Sequence, residues 1–69
     1  MYKNLKMLMA AKGITIDMLA RLLDVHRNTV ANKLDGESEF SFSQAEIICE
    51  TYFREYRVAY VMAREEPAA

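Results

Sequence analysis

Residues 15–36, TIDMLARLLDVHRNTVANKLDG, decide the fold of this chain, because their apolar positions have the spacing of a helix-turn-helix unit. In such a unit two helices cross at a steep angle over a short turn, and a small residue is needed where they approach closely. Ala20 supplies that small residue. The shared core is expected from Leu19, Leu23, Val25, Val30 and Leu34.

The helix boundaries around this motif follow from residues with special backbone preferences. Gly13 is expected to end a first helix in the left-handed conformation that glycine tolerates. Thr15 is expected to cap the second helix, and the third helix is predicted from about Arg27 to Leu34. One face of the first helix is predicted to hold Leu5, Leu8, Met9 and Lys12, and the apolar stripe of the second is predicted to hold Ile16, Leu19, Ala20 and Leu23.

A fourth helix is predicted to begin at Ser43, after a loop over residues 37–42. Ser43 and Glu46 have the spacing of a capping box, in which each side chain satisfies a backbone N–H of the first turn. Phe42 and Ile47 have the spacing of a hydrophobic staple. These signals together predict a helix start at this serine.

The end of the fourth helix is not marked by glycine or proline. A fifth helix from about Tyr56 to Arg64 is predicted, and one long unbroken helix is the alternative left open. Because alternation of period two is absent from the whole chain, the fold class is predicted as all-α, a compact domain of four to five helices.

Length and charge limit the domain organisation and the class of partner. A chain of 69 residues is expected to form a single domain over 1–69. Residues 1–36 contain six lysines and arginines against three acidic residues, whereas residues 37–69 contain three against seven. The first half is therefore suited to an anionic partner.

Several function classes lack the residues that they need. The single cysteine, Cys49, cannot form an internal disulfide, and together with His26 it cannot complete a structural zinc site. A buried structural thiol is the expected role of Cys49. The sequence contains no glycine-rich phosphate loop, no paired acid and base and no apolar run of membrane-spanning length. We therefore expect no enzymatic activity, cofactor, metal, small-molecule substrate or membrane partner, and a cytoplasmic location.

The exposed face of the third helix is unusual because it carries amides and cations without a carboxylate before Asp35. An ordinary surface helix mixes both signs of charge, so this face indicates an anionic partner. Its residues are His26, Arg27, Asn28, Thr29, Asn32 and Lys33.

At these positions the chain resembles the DNA-binding domains of the phage lambda repressor and Cro type, also called Xre-like. The resemblance is specific over the motif and looser over residues 3–63. It departs from the family pattern at Asp24, where glycine is usual, and at Lys33, where an apolar residue is usual, so that Leu34 is expected to make the inward contact. The matching positions are Leu19, Ala20, Leu23, Val25, Thr29, Val30 and Gly36.

The resemblance implies that the third helix enters the major groove of DNA, with Arg27, Asn28 and Asn32 reading bases. The chemistry of these side chains agrees, since arginine pairs with guanine O6 and N7 and asparagine with adenine N6 and N7. Contacts to the DNA backbone, or support for them, are expected from Thr15, His26, Thr29, Lys33 and Lys12.

The function expected from this resemblance is a sequence-specific transcriptional regulator, a repressor of phage or mobile-element type that binds double-stranded DNA as a homodimer. The candidate dimerisation segment is 54–64, which adds apolar residues beyond the needs of a four-helix core. The alternative is a protein-interaction module on the same fold, favoured by the acidic loop residues Glu37 and Glu39. The expected dimer-interface residues are Tyr56, Val58, Tyr60, Val61 and Met62.

Overall fold

Five α-helices and no strand make up the part of the chain described by the structure, a computed structural model covering residues 1–65. The all-α prediction is confirmed for this range. The last four residues of the predicted domain, 66–69, lie outside the described residues. In chain order the helices are α1 (Lys3–Lys12), α2 (Ile16–Leu23), α3 (Arg27–Leu34), α4 (Phe42–Tyr52) and α5 (Val58–Val61).

Left-handed residues end the first two helices, as predicted for Gly13. Gly13 has φ of +71° and Asp24 has φ of +56°. After Asp24, the Val25 N–H donates to the Ala20 carbonyl over 3.0 Å, which satisfies a carbonyl that the end of α2 would otherwise leave free. The turn between α2 and α3 therefore comprises residues 24–26, the short connection that the helix-turn-helix motif requires.

The hydrophobic core receives a fully buried side chain from every helix. Leu34 is 3% exposed, so it makes the inward contact of α3 predicted for it. The largest fully buried side chains are Leu5 in α1, Leu19 in α2, Val30 in α3, Ile48 in α4, Phe53 directly after α4 and Val61 in α5. Among the described residues, none of the helices has the length and apolar character needed to cross a membrane.

The N-cap of α4 lies two residues before the predicted one, since it is Ser41 and not Ser43. The Ser41 hydroxyl accepts from the Gln44 N–H over 3.1 Å, and the Gln44 side-chain oxygen accepts from the Ser41 N–H over 3.0 Å. The predicted box of Ser43 and Glu46 is therefore wrong, although the motif type is right.

Long-range packing explains this choice between two serines with the same local motif. Phe40 is 8% exposed, its ring packs edge-on to Tyr2 at 5.1 Å between centroids, and its N–H donates to the Tyr2 hydroxyl. Burial of Phe40 fixes the entry of the chain into α4. The predicted staple residues Phe42 and Ile47 are instead exposed, at 76% and 42%.

The two serines make a matched test of this capping assignment. Ser41→Ala should lower the free energy of unfolding by about 1 kcal/mol, because the first turn of α4 loses its acceptor. Ser43→Ala, inside the first turn, should change it by less than about 0.5 kcal/mol. Urea denaturation followed by circular dichroism measures both, and a larger loss for Ser43→Ala would contradict the assignment.

The helical conformation is interrupted between α4 and α5. The predicted fifth helix therefore exists, and the alternative of one unbroken helix is wrong. The helix is shorter than predicted, covering Val58–Val61 rather than residues 56–64. The ammonium of Lys12 donates to the Tyr52 carbonyl over 2.8 Å, at the end of α4. Because Lys12 satisfies this carbonyl and Phe53 turns into the core, α4 ends here without glycine or proline.

The segment assigned to dimerisation mostly completes the core of the chain itself. Val61 is 0% exposed, while Val58 and Met62 are half-buried and pack against the core. The expectation that Val61 lies in a dimer interface is wrong, since α5 packs against α1 and α4 and buries it. Tyr56 and Tyr60 remain on the surface, at 38% and 45% exposed.

Candidate nucleic-acid interface

The side chains predicted to read bases lie exposed on α3. Arg27, Asn28 and Asn32 are all solvent-exposed, and Asn28 and Asn32 are separated by one helical turn. Among residues 1–65, neither asparagine amide group makes a hydrogen bond within the chain. Both amides are therefore free to donate to, and accept from, a base edge.

His26 has a structural role that the sequence reasoning missed. It is the N-cap of α3, and its Nδ1 accepts from the Asn28 N–H over 3.1 Å. This bond requires Nδ1 to lack a proton, so the neutral ring carries its proton on Nε2. The exposed Nε2–H then remains available to a phosphate, as expected of His26. His26 comes directly before the predicted start of α3 at Arg27, and this position was the sequence signal for a capping role.

Arg27 is paired across the turn with an acidic residue of α2. The Arg27 Nε lies 3.2 Å from Oδ1 of Asp17, and both side chains are about three-fifths exposed, at 62% and 61%. Asp17 also lies in the first turn of α2, where a carboxylate complements the helix dipole. Opposite charges at the starts of two adjoining helices were the signal for this pair. An open groove between α2 and α3 is lined by Asp17, Ala20, Arg21, Asp24, Val25, His26 and Arg27.

Thr15 and Thr29, two of the expected backbone-contacting residues, are both hydrogen-bonded within the chain. The Thr15 hydroxyl accepts from the Met18 N–H over 3.1 Å, which confirms its capping role and leaves its own proton free to donate. The first N–H groups of α2, including that of Ile16, have no partner within the helix. Thr29 is half-buried, and its N–H donates to the His26 carbonyl. The start of α2 is thus suited to an anion.

Lys33 and Lys12, the two lysines expected to contact phosphates, are engaged inside the chain. The Lys33 ammonium donates to the Glu39 carbonyl over 2.8 Å and so ties the loop after α3. The Lys12 ammonium donates to Oε1 of Glu55 over 2.7 Å and lies 5.3 Å from the centroid of the Phe53 ring. These contacts within the chain explain the position of the Lys12 side chain without any contact to DNA.

The pair of Lys12 and Glu55 should make stability sensitive to acid. The hydrogen bond from Lys12 is the main cause that lowers the pKa of Glu55. A lowered pKa in the folded state adds stability above about pH 4.3, the unfolded value, and this addition disappears as the pH falls through the folded value. We expect Glu55→Gln to be less stable than the wild type at neutral pH.

The difference between these two proteins should shrink on acidification and vanish once Glu55 is protonated in both states. Urea titrations from pH 7 to about pH 3 measure it. Glu46→Gln, at an exposed position in α4, serves as the control for a general loss of one negative charge. A difference that stays constant with pH would contradict the role of the ion pair.

The acidic loop after α3 is partly neutralised by cations of the same chain. The Glu39 carboxylate pairs with the Arg64 guanidinium, and Asp35 pairs with Lys6 over 3.0 Å. Glu37 makes no ion pair within residues 1–65. If DNA lay beside this loop, repulsion of its phosphates would therefore come from Glu37 more than from Glu39.

Cys49 is buried in the core, as predicted. Burial raises the pKa of its thiol, so the thiolate form that reacts is disfavoured. The thiol contributes to packing.

Comparison with known proteins supports the assignment of the first four helices to a helix-turn-helix domain. A family model described as the Cro/C1-type HTH DNA-binding domain matches residues 4–52. Neither a curated protein nor a solved structure matches the chain. The matched range extends from the first turn of α1 to the last residue of α4, and α5 lies beyond it.

Proposed function

The chain belongs to the Cro/C1-type helix-turn-helix DNA-binding family, and from this premise we propose that it is a sequence-specific transcriptional regulator. The observation that carries the proposal is the exposed face of α3, which presents Arg27, Asn28 and Asn32 without a carboxylate before Asp35. Domains of this type act by binding DNA. We therefore propose that the protein acts in the cytoplasm by binding an operator, without catalysing a reaction.

In the proposed complex, α3 lies in the major groove and its first turn faces the base edges. Arg27 donates to guanine O6 and N7, while Asn28 and Asn32 each pair with an adenine. The backbone contacts come from Thr15, His26, Thr29 and Lys33, together with the free N–H groups at the start of α2. We leave Lys12 out of this set because its charge is paired with the Glu55 carboxylate, whereas the Lys33 ammonium bonds the neutral Glu39 carbonyl and keeps its positive charge for a phosphate.

The proposed regulator is a repressor of phage or mobile-element type, which blocks transcription by occupying its operator. The family match over residues 4–52 supports this mode of action, because a Cro/C1-type DNA-binding domain supplies the contact with DNA that occupancy of an operator requires. Repression by occupancy needs only affinity and specificity at the site.

We place the dimer contact at the tyrosines of the α4–α5 end. The rings of Tyr56 and Tyr60 stack at 5.8 Å between centroids with an interplanar angle of 18°, and both are partly exposed. A second copy would cover these rings and the half-buried Val58 and Met62 beside them. One subunit offers few cations to DNA, so tight binding requires two.

Selection of binding sites from random duplex DNA tests the proposal. We expect a palindrome whose half-sites are about 34 Å apart, one turn of DNA, because a symmetric dimer presents its two α3 helices in that way. If the dimer neutralises about six to eight phosphates, log affinity should fall against log salt with a slope of roughly −5 to −7. Sedimentation of the complex reports its stoichiometry.

Two outcomes would contradict parts of this proposal separately. A selected site without symmetry, bound by one subunit, would remove the dimer and keep the DNA-binding function. A slope near zero with no sequence recovered would remove DNA binding and favour the protein-interaction module.

A further inference from the structure

The ion pair between Asp17 and Arg27 joins the first turns of the two helices of the motif. Asp17 is the second residue of α2 and Arg27 is the first residue of α3, and the closest approach is 3.2 Å, between Oδ1 and Nε. The pair spans the groove whose lining also includes Asp24 and Arg21. No other ion pair involves Arg27 among the described residues.

This ion pair is poorly suited to stabilising the fold. Both side chains are about three-fifths exposed, so water already solvates the two charges and screens their attraction. An exposed pair contributes little to stability, but it still limits the orientations of a long side chain with many rotamers. Its main effect is therefore on where the Arg27 guanidinium points.

We propose that Asp17 is a positioning residue that sharpens the preference of Arg27 for guanine. This inference rests on the proposed DNA-binding function. Because Nε is the guanidinium nitrogen nearest to Asp17, the two terminal nitrogens remain free, and these are the donors that reach O6 and N7 together. An arginine held in this way loses less rotamer freedom when it pairs with guanine.

Asp17 also penalises the wrong binding modes. If Arg27 turns away to a phosphate or meets another base, the carboxylate of Asp17 loses its partner and stays close to the negatively charged duplex. On the preferred site both groups keep their partners. Specificity thus increases through repulsion at incorrect sites as well as through attraction at the correct one.

Two variants with the same change of charge test this role. Asp17→Asn removes the partner of Arg27, whereas Asp24→Asn removes a carboxylate from the same groove that is not paired with Arg27. Asp24 has φ of +56°, a conformation that asparagine tolerates as well as aspartate, so the control adds no backbone strain. Thermal unfolding of each variant verifies that the domain stays folded.

The measurement is the affinity for the selected site, for the same site with the guanine pair at the Arg27 position exchanged for adenine–thymine, and for a scrambled duplex, all at equal salt. Both variants should bind the adenine–thymine and scrambled duplexes more tightly than the wild type, since each loses a negative charge. Only Asp17→Asn should reduce the ratio of guanine to adenine affinity, by about fivefold or more. In an Arg27→Ala background, Asp17→Asn should leave this ratio unchanged.

Equal ratios for Asp17→Asn and Asp24→Asn would overturn the positioning role and reduce Asp17 to a general charge. A reduced ratio that persists in the Arg27→Ala background would also overturn it, because Asp17 would then act on DNA by another route. A wild-type protein without any sequence preference would refute the proposed function and this inference together, and it would be seen before either variant is compared.

Discussion

Val61→Glu is expected to unfold most of the protein. Val61 is 0% exposed and belongs to the core cluster that α5 completes, so a carboxylate there has neither water nor a cation partner. The cost of several kcal/mol compares with a total stability of about 3 to 10 kcal/mol for a domain of this size. Far-UV circular dichroism at 25 °C should show a loss of most helical signal.

Tyr60→Glu is the matched control, since it places the same charge one residue earlier at a side chain that is 45% exposed. We expect this variant to keep its helices and to lose dimer in sedimentation at about 100 µM, because the stacked tyrosines form the proposed contact surface. If Val61→Glu retained the wild-type spectrum and melting temperature, the assignment of Val61 to the core would be wrong.

Arg27→Ala should have the largest effect on DNA binding of any single α3 substitution. Loss of a bidentate contact to guanine costs about 1 to 3 kcal/mol on the selected site. The variant should lie near the upper end of this range, because it also leaves the Asp17 carboxylate unpaired beside the duplex. Titrations with selected and scrambled duplexes separate base reading from phosphate contact.

Arg54→Ala provides a control for the removal of one positive charge. Arg54 is exposed just beyond α4 and has no assigned base contact. It should lower the affinity for both duplexes by the same small factor. Equal losses for Arg27→Ala on selected and scrambled DNA would instead show that Arg27 contacts phosphate only.

The central motif was predictable because its boundaries depend on residues close together in the chain. The limits of α3, Arg27–Leu34, are those predicted from the sequence. Thr15 caps α2 through a residue three positions away, and Asp24 adopts the left-handed conformation at the turn. Propensity, capping and apolar spacing all indicate the same structure here, so local information was sufficient. The candidate base-reading residues came from the family resemblance, and the structure places all three of them exposed on α3.

The sequence could not decide between alternatives that are locally equivalent. Ser41 and Ser43 each begin a motif with a suitable residue three positions later, and the choice depends on Phe40, whose N–H bonds Tyr2 across 38 positions. Apolar spacing likewise could not tell whether Val61 belongs to the core of one chain or to a surface between two.

Long-range contacts also determined the roles of the charged side chains. The sequence by itself determined the helix-turn-helix, its acid-free face and the helical class, because those depend on neighbours three or four residues apart. Only the tertiary structure directed Lys12 to Glu55, 43 positions away, and placed Asp17 against Arg27. A long side chain finds its partner in space, and that distance exists only after the helices have packed around the core.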